Sequence, residues 1–228
     1  AALLESGADV VVKDLAEVEI EVEIEDLENA LESFEEIGER VRGRRAAAFL
    51  DYDGTLTPIV SRPEDARLSG EMREILARLA ARCTVALVSG RGLDDVRGLV
   101  GIGGIYYAGS HGFEIAGPDG FHMDNEEAGR FLDDLDAAQA WLEEELADVP
   151  GALVERKKFT VAVHYRNVAD EHLEAVEKAV AEAHRRHRCF RRTEGKKVYE
   201  LQPDIDWHKG RAVEWLMDAL NLVGPGYV

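Results

Sequence analysis

Cysteine, long apolar runs and positive charge are all scarce in this chain. Cys83 and Cys189 are its two cysteines, far too few for a disulfide framework, so a reducing, cytoplasmic setting is expected. The longest apolar runs, such as Ala46–Leu50, reach five residues, whereas a membrane-spanning helix needs about 20. No basic-then-apolar segment of the signal-peptide kind opens the sequence. Lys and Arg number 27 against 46 Asp and Glu, a formal net charge of -19. A field of that sign argues against nucleic acid or an anionic membrane as partner. Oligomeric state is not legible.

What is present is ample apolar material. Apolar residues make up 46% of 228, which excludes wholesale disorder and fits one domain, or one domain with a small insertion. The first residue is Ala rather than Met, so a processed or excised piece is expected.

The acidity is uneven. Residues 1–45 hold 14 acids and 5 bases, a net of -9, and the other 183 residues carry 32 acids and 22 bases, a net of -10. Within the acidic fifth, Glu17–Glu25 reads EVEIEVEIE. Its period of two fits a half-exposed strand, while glutamates on every second residue equally fit a solvated linker, the favoured reading. Leu27, Leu31, Phe34, Ile37 and Val41 then recur at helical spacing, with Asp26 as the expected N-cap.

From Ala46 the pattern alternates. Apolar runs at 46–50, 84–88 and 105–108 end in the polar strings DYDGT, SGR and GSHG, with helical periodicity between them. Strand, helix, strand, helix, strand predicts a parallel sheet with crossover helices, whose ligand sits beyond the carboxyl ends of the strands. Ser69 is the expected cap of the first crossover helix. Residues 112–200 read as an α+β insertion: a hairpin around Pro118-Asp119-Gly120, helices near 126–146 and 170–187, and strands near 152–156, 159–165 and either side of Gly195-Lys196. The chain then returns through Trp207-His208-Lys209-Gly210 and a helix over 211–220.

DYDGT brings two carboxylates to the end of a strand. Gly54 lets the backbone turn, so Asp51 can line a pocket and Asp53 swing above it. Clustered carboxylates call for a cation, and Mg²⁺ takes few protein oxygens, leaving some positions to a phosphate. A metal-bound Asp51 is positioned to attack phosphorus, with Asp53 as proton donor and acceptor. The bland alternative is an Asp-Gly turn after a buried strand.

The full set of strings carries a resemblance. DYDGTLTP, LVSGR, YYAGSHGFEI, KKFTVAVHYR, EGKKVYEL and WHKG occur in that order between Ala46 and Val228. Together they resemble the trehalose-6-phosphate phosphatase family of the haloacid dehalogenase superfamily. The resemblance implies an α/β, Rossmann-like core with a parallel sheet, at 46–111 and 201–228, and an inserted α+β cap at 112–200. It implies Mg²⁺-dependent hydrolysis of a small sugar phosphate, trehalose 6-phosphate, through an aspartyl-phosphate. Asp51, Asp53, Ser89 and Lys209 are the implied catalytic residues, and Asp51 and Asp53 the implied metal ligands. Asp51, Tyr52, Asp53, Gly90, Arg91 and His111 are the implied core-side substrate contacts.

Each assignment has a physical reason and a rival. Ser89 would donate to a phosphoryl oxygen, or simply cap the next helix. Lys209 would face the developing phosphoryl charge; a cation at a helix start opposes the dipole and so needs an anionic partner. Arg91 could reach phosphate or a carboxylate, and His111 could touch substrate or brace the hinge. His164, Arg166, Glu194, Lys196 and Glu200 lie in cap-like strings; Lys157, Glu194, Lys196 and Glu200 are the expected sugar contacts. The run His184–Arg192 reads as a helix end with cations matching the dipole, rather than as an RNA contact.

The sequence departs from the family pattern in two places. The fourth acidic motif of the superfamily, which supplies the remaining metal carboxylates, does not follow Lys209, so a C-terminally truncated piece is expected. Gln202 stands where the family's VYEL string leads to arginine. At the other end, LLESGADVVVKDLAEV resembles the tail of a β-phosphoglucomutase-like domain, so 1–45 are read as an acidic linker with the tail of a preceding domain. The alternatives are a phosphatase of another sugar phosphate, such as sucrose phosphate, and a non-catalytic domain of a larger trehalose-synthesis protein.

Overall fold

The computed structural model describes residues 31–60, 62–224 and 226–227, in two units that divide between Arg42 and Gly43. The Glu17–Glu25 stretch, the Asp26 cap and the string at 3–18 lie outside the described residues. In the first unit, helix α1 spans Phe34–Val41, with Glu35 and Glu36 in its first turn and Arg40 in its last, charges that match the macrodipole.

The second unit holds two sheets. Strands β1 (Ala47–Leu50), β2 (Thr84–Val88), β3 (Tyr106–Gly109), β4 (Glu114–Ala116) and β5 (His122–Asp124) form the first, in the order β1-β2-β3-β4-β5. β1, β2 and β3 are parallel, and β4 and β5 continue antiparallel from β3. The hairpin around Pro118-Asp119-Gly120, expected inside the insertion, thus extends the first sheet. A short β3–β4 connection lets consecutive strands pair directly, and that local pairing wins.

Helices α2 (Gly70–Ala80) and α3 (Leu93–Val100) cover one face of this sheet and α7 (Lys209–Ala219) the other. In β2, Val85 and Leu87 pack with Leu76, Val96 and Val100, while Ala86 and Val88 pack with Ala212 and Leu216. Side chains alternate across a strand, and a strand covered on both faces is apolar throughout. Full burial of each Leu or Val contributes about 1.5–3 kcal/mol. The Ser69 hydroxyl caps α2 by accepting from Met72 N–H at 3.0 Å.

The insertion carries the second sheet, β6 (Leu153–Lys157), β7 (Thr160–His164), β8 (Phe190–Gly195) and β9 (Val198–Pro203), in the antiparallel order β6-β7-β9-β8. β9 runs to Pro203, past the expected boundary at residue 200. One face packs Val161, Val163, Phe190 and Leu201 on α5 (Leu132–Glu145) and α6 (Leu173–Arg186). The helix expected over 126–146 is broken: α4 (Glu126–Gly129) precedes α5, with Asn125 accepting from Ala128 N–H at 2.9 Å. The basic run closes α6 as a dipole-matched end, where Arg185 and Arg186 pair with Glu182 and Arg186 covers the Trp141 ring. Among the described residues, no helix is long and apolar enough to cross a membrane.

Candidate active site

The carboxyl ends of β1, β2 and β3 lie side by side, and each carries one of the polar strings. After β1 the chain turns at Gly54, whose φ of +83° is left-handed and favours glycine. Asp51 and Asp53 flank Tyr52. The Tyr52 side chain goes the other way: it is fully buried and its hydroxyl donates to Ala66 O at 2.6 Å. The Tyr52 ring and hydroxyl are thus engaged in the core. An aromatic ring one position from each Asp fills the core beneath them.

After β2, Ser89 is buried, and its Oγ accepts from Arg91 N–H at 3.1 Å. The Arg91 guanidinium holds Asp53 with two bonds, Nε to Oδ2 and Nη2 to Oδ1, both 2.8 Å, and reaches Asp95 at 3.0 Å. Parallel N–H donors matching both carboxylate oxygens fix the group in direction as well as distance. After β3, Ser110 and His111 are both left-handed, at φ of 48° and 59°, a conformation that costs energy in non-glycine residues. That turn ties the neighbouring loop down: Ser110 N–H donates to Arg91 O at 2.6 Å and His111 N–H to Ser89 O at 2.9 Å. The His111 ring lies so close over Gly90 that a Cβ there would stand 2.8 Å from its Cε1.

Lys209 is the first residue of α7, and His208 Nδ1 caps that helix by accepting from Gly210 N–H at 3.1 Å and from Arg211 N–H at 3.4 Å. A cation at this place needs an anion. Lys209 Nζ donates to Asp51 Oδ1 at 2.7 Å, across 158 positions of sequence.

The open face of the second sheet looks onto these strand ends across a cleft of about 390 Å³. Asp53, Gly90, Arg91 and His111 line it from one side, and Lys157, Lys196 and Glu200 from the other. Glu155, His164 and Arg166 line it as well, although they were not in the expected contact set. Their signal was the period of two: Glu155 and Glu200 both pair with Ala162, so they share its face. Glu194 does not line the cleft; Tyr165 Oη donates to its Oε1 at 3.1 Å. Asp51, Ser89 and Lys209 lie outside the cleft lining.

Every carboxylate of the cleft is paired. Asp53 and Asp95 share Arg91, Glu155 meets His164 at 2.7 Å, and Glu200 meets Lys157 at 3.0 Å and His111 at 3.7 Å. Burial alone would raise the Glu200 carboxyl, but contact with His111 and the Lys157 charge outweigh it and bring its pKa down to about 2. Lys196 and Arg166 have no carboxylate within 4.0 Å among the described residues; Arg166 Nη2 instead donates to Lys196 O at 3.1 Å. With four carboxylates set against Arg91, Lys157, Arg166 and Lys196, the cleft is locally balanced in charge within an acidic chain.

The residues do not by themselves fit the implied Mg²⁺. Asp51 is taken by Lys209 and Asp53 by Arg91. Among the described residues, no group of three or more His, Cys, Asp or Glu side chains is arranged to hold a metal ion. A hard divalent cation wants more oxygens than two engaged carboxylates supply.

Residues 49–227 match the model of the trehalose-phosphatase family. The chain belongs to that family. It is 45% identical over 222 residues to the trehalose-phosphate phosphatase of Mycobacterium tuberculosis, covering 96% of this chain and 56% of that protein. It is 46% identical over 230 residues to an uncharacterized glycosyl hydrolase of the same organism, covering 98% of this chain and 17% of that protein. The chain thus spans less than two thirds of the length of either relative. A solved structure of a protein related to trehalose-6-phosphate phosphatase superposes with a TM-score of 0.67 at 24% identity, over 75% of this chain and 73% of that one. That likeness is one of fold, a mixed α/β architecture with a largely parallel sheet.

Proposed function

We propose that the chain hydrolyses trehalose 6-phosphate to trehalose and phosphate, with Asp51 as the nucleophile. The observation that carries the reading is the Asp51–Lys209 pair at 2.7 Å, set at the strand ends beside the cleft in a member of this family. An Asp51 oxygen bonds to phosphorus as the bond from phosphorus to the sugar oxygen breaks. Asp53 gives the departing oxygen its proton; both of its oxygens accept from Arg91 here, so one of those bonds opens and that oxygen takes up a proton from water before the transfer. Water then attacks the aspartyl-phosphate, Asp53 takes the water's proton, and phosphate leaves. Lys209 faces the charge that develops on the phosphoryl group. The Ser89 oxygen already accepts from Arg91 N–H, so its hydroxyl hydrogen is left to donate to a phosphoryl oxygen. Lys157, Lys196 and Glu200 offer donors and acceptors to sugar hydroxyls. No step is assigned to Mg²⁺, because the donor set is incomplete. The free Cys83 and Cys189 support a reducing, cytoplasmic setting.

Phosphate release from trehalose 6-phosphate, sucrose 6-phosphate and glucose 6-phosphate tests the reading. Trehalose 6-phosphate should be preferred, and Asp51→Asn should lower turnover by at least about a thousandfold. Undiminished release by the variant removes Asp51 as nucleophile. Preference for sucrose 6-phosphate changes the substrate, and no release from any of the three makes the chain a non-catalytic module.

A further inference from the structure

Arg191, in β8 of the insertion, has no carboxylate within 4.0 Å among the described residues. Its guanidinium instead donates to two main-chain carbonyls of the segment returning to the first sheet: Nη2 to Trp207 O at 2.7 Å and Nη1 to Ile205 O at 3.3 Å. The same segment is fastened by Asp204 N–H to Cys189 O at 2.8 Å and folded on itself by Trp207 N–H to Ile205 O at 2.7 Å. His208 follows as the cap of α7, and Lys209 follows His208. A cation buried partly out of water and bonded to neutral carbonyls alone carries a desolvation cost, so its place calls for an explanation beyond packing. A planar fork also fits two carbonyls at once, which an ammonium does not.

We propose that Arg191 is a positioning residue for Lys209. It pins the turn at 205–207, which sets the start of α7 and so the place of the Lys209 ammonium against Asp51. The reactive lysine is thereby fastened to the insertion, while Asp51 stands on the first sheet. The proposal rests on the reading of Asp51 and Lys209 as the working pair.

The test uses the full chain with Arg191→Met and Arg191→Lys. The first readout needs no substrate: acylation of Lys209 by acetic anhydride, followed by mass spectrometry, with the exposed Lys178 as internal reference. An ammonium held against a carboxylate acylates slowly, because the amine must first be freed. The Lys209/Lys178 ratio should rise severalfold in Arg191→Met, up to about fivefold, a shift of up to about 1 kcal/mol in the closed pair, and less in Arg191→Lys. The second readout is kinetic: kcat should fall about tenfold with KM within about twofold, the signature of a loss confined to the transition state. On a Lys209→Ala background, Arg191→Met should cost nothing further. An unchanged labelling ratio in a variant with native circular dichroism overturns the proposal, as does an additive loss in the double variant. If Arg191→Met does not fold, Arg191→Gln, which keeps one amide donor, decides on the same ratio. If the wild type releases no phosphate, the functional reading fails, while the labelling ratio still decides on the clamp.

Discussion

At the scale of single residues, two substitutions separate chemistry from support. Lys209 sits where the helix dipole disfavours a cation by about 0.3–1 kcal/mol, and Asp51 compensates. Both side chains are more than a third exposed, so the pair contributes little to stability, about 0–1 kcal/mol. Lys209→Ala should therefore leave the melting temperature nearly unchanged while lowering kcat by about 10²–10³. A retained kcat would strip Lys209 of its role. Tyr52→Phe should do the reverse. It removes the hydroxyl that satisfies Ala66 O in the core, costing about 1–3 kcal/mol in denaturant titration, and should leave KM untouched. A raised KM would give the Tyr52 hydroxyl a part in substrate binding.

At the scale of elements, β9 carries a carboxylate whose titration is readable. The Glu200 carboxyl falls from 4.5 to about 2 in the fold. A depressed acid stabilises the native state above its unfolded pKa, and the contribution is lost as pH falls through the folded value. Glu200 should thus supply on the order of 3 kcal/mol at neutral pH, fading between about pH 4.5 and 2. Glu155, held down first by its bond to His164, acts in the same sense; Glu114, pushed up by burial, acts in the opposite one. Urea midpoints of the wild type and Glu200→Gln, compared at pH 6 and at pH 3, isolate the group: the gap should shrink on acidification, and a constant gap would refute the assignment.

The same elements show what a sequence yields. The three strand-end strings were legible because apolar runs stop abruptly at polar residues, and because Lys209 at a helix start demanded an anion. Glu155 and Arg166 were harder to see, since a two-residue period reveals a face only once the partner strand and its register are known. The β4–β5 hairpin was misassigned because its turn residues mark a hairpin without saying which sheet it joins. Gln202 stands across the ladder from Arg191, a pairing that register alone reveals.

At the scale of the whole molecule, charge and donor geometry make opposite promises about Mg²⁺. A net charge of -19 gathers divalent counterions around the chain. That attraction is diffuse, however, and a Debye length of about 8 Å at 0.15 M salt screens it. A true site would bind through ordered oxygens and survive salt. The cleft carboxylates are each already paired with a side chain of the chain itself, and Asp51 and Asp53 are the pair nearest the chemistry. Calorimetric titration of the chain with MgCl₂ should accordingly show weak, unsaturable heat at low salt that collapses on adding about 0.15 M NaCl. A saturable site with micromolar affinity that persists in NaCl would mean that Lys209 or Arg91 gives up its carboxylate to the metal. The ion pairs at 2.7 and 2.8 Å would then describe a metal-free arrangement of the site. The Lys209→Ala variant distinguishes the two cases, since freeing Asp51 should tighten Mg²⁺ only if that carboxylate is a ligand.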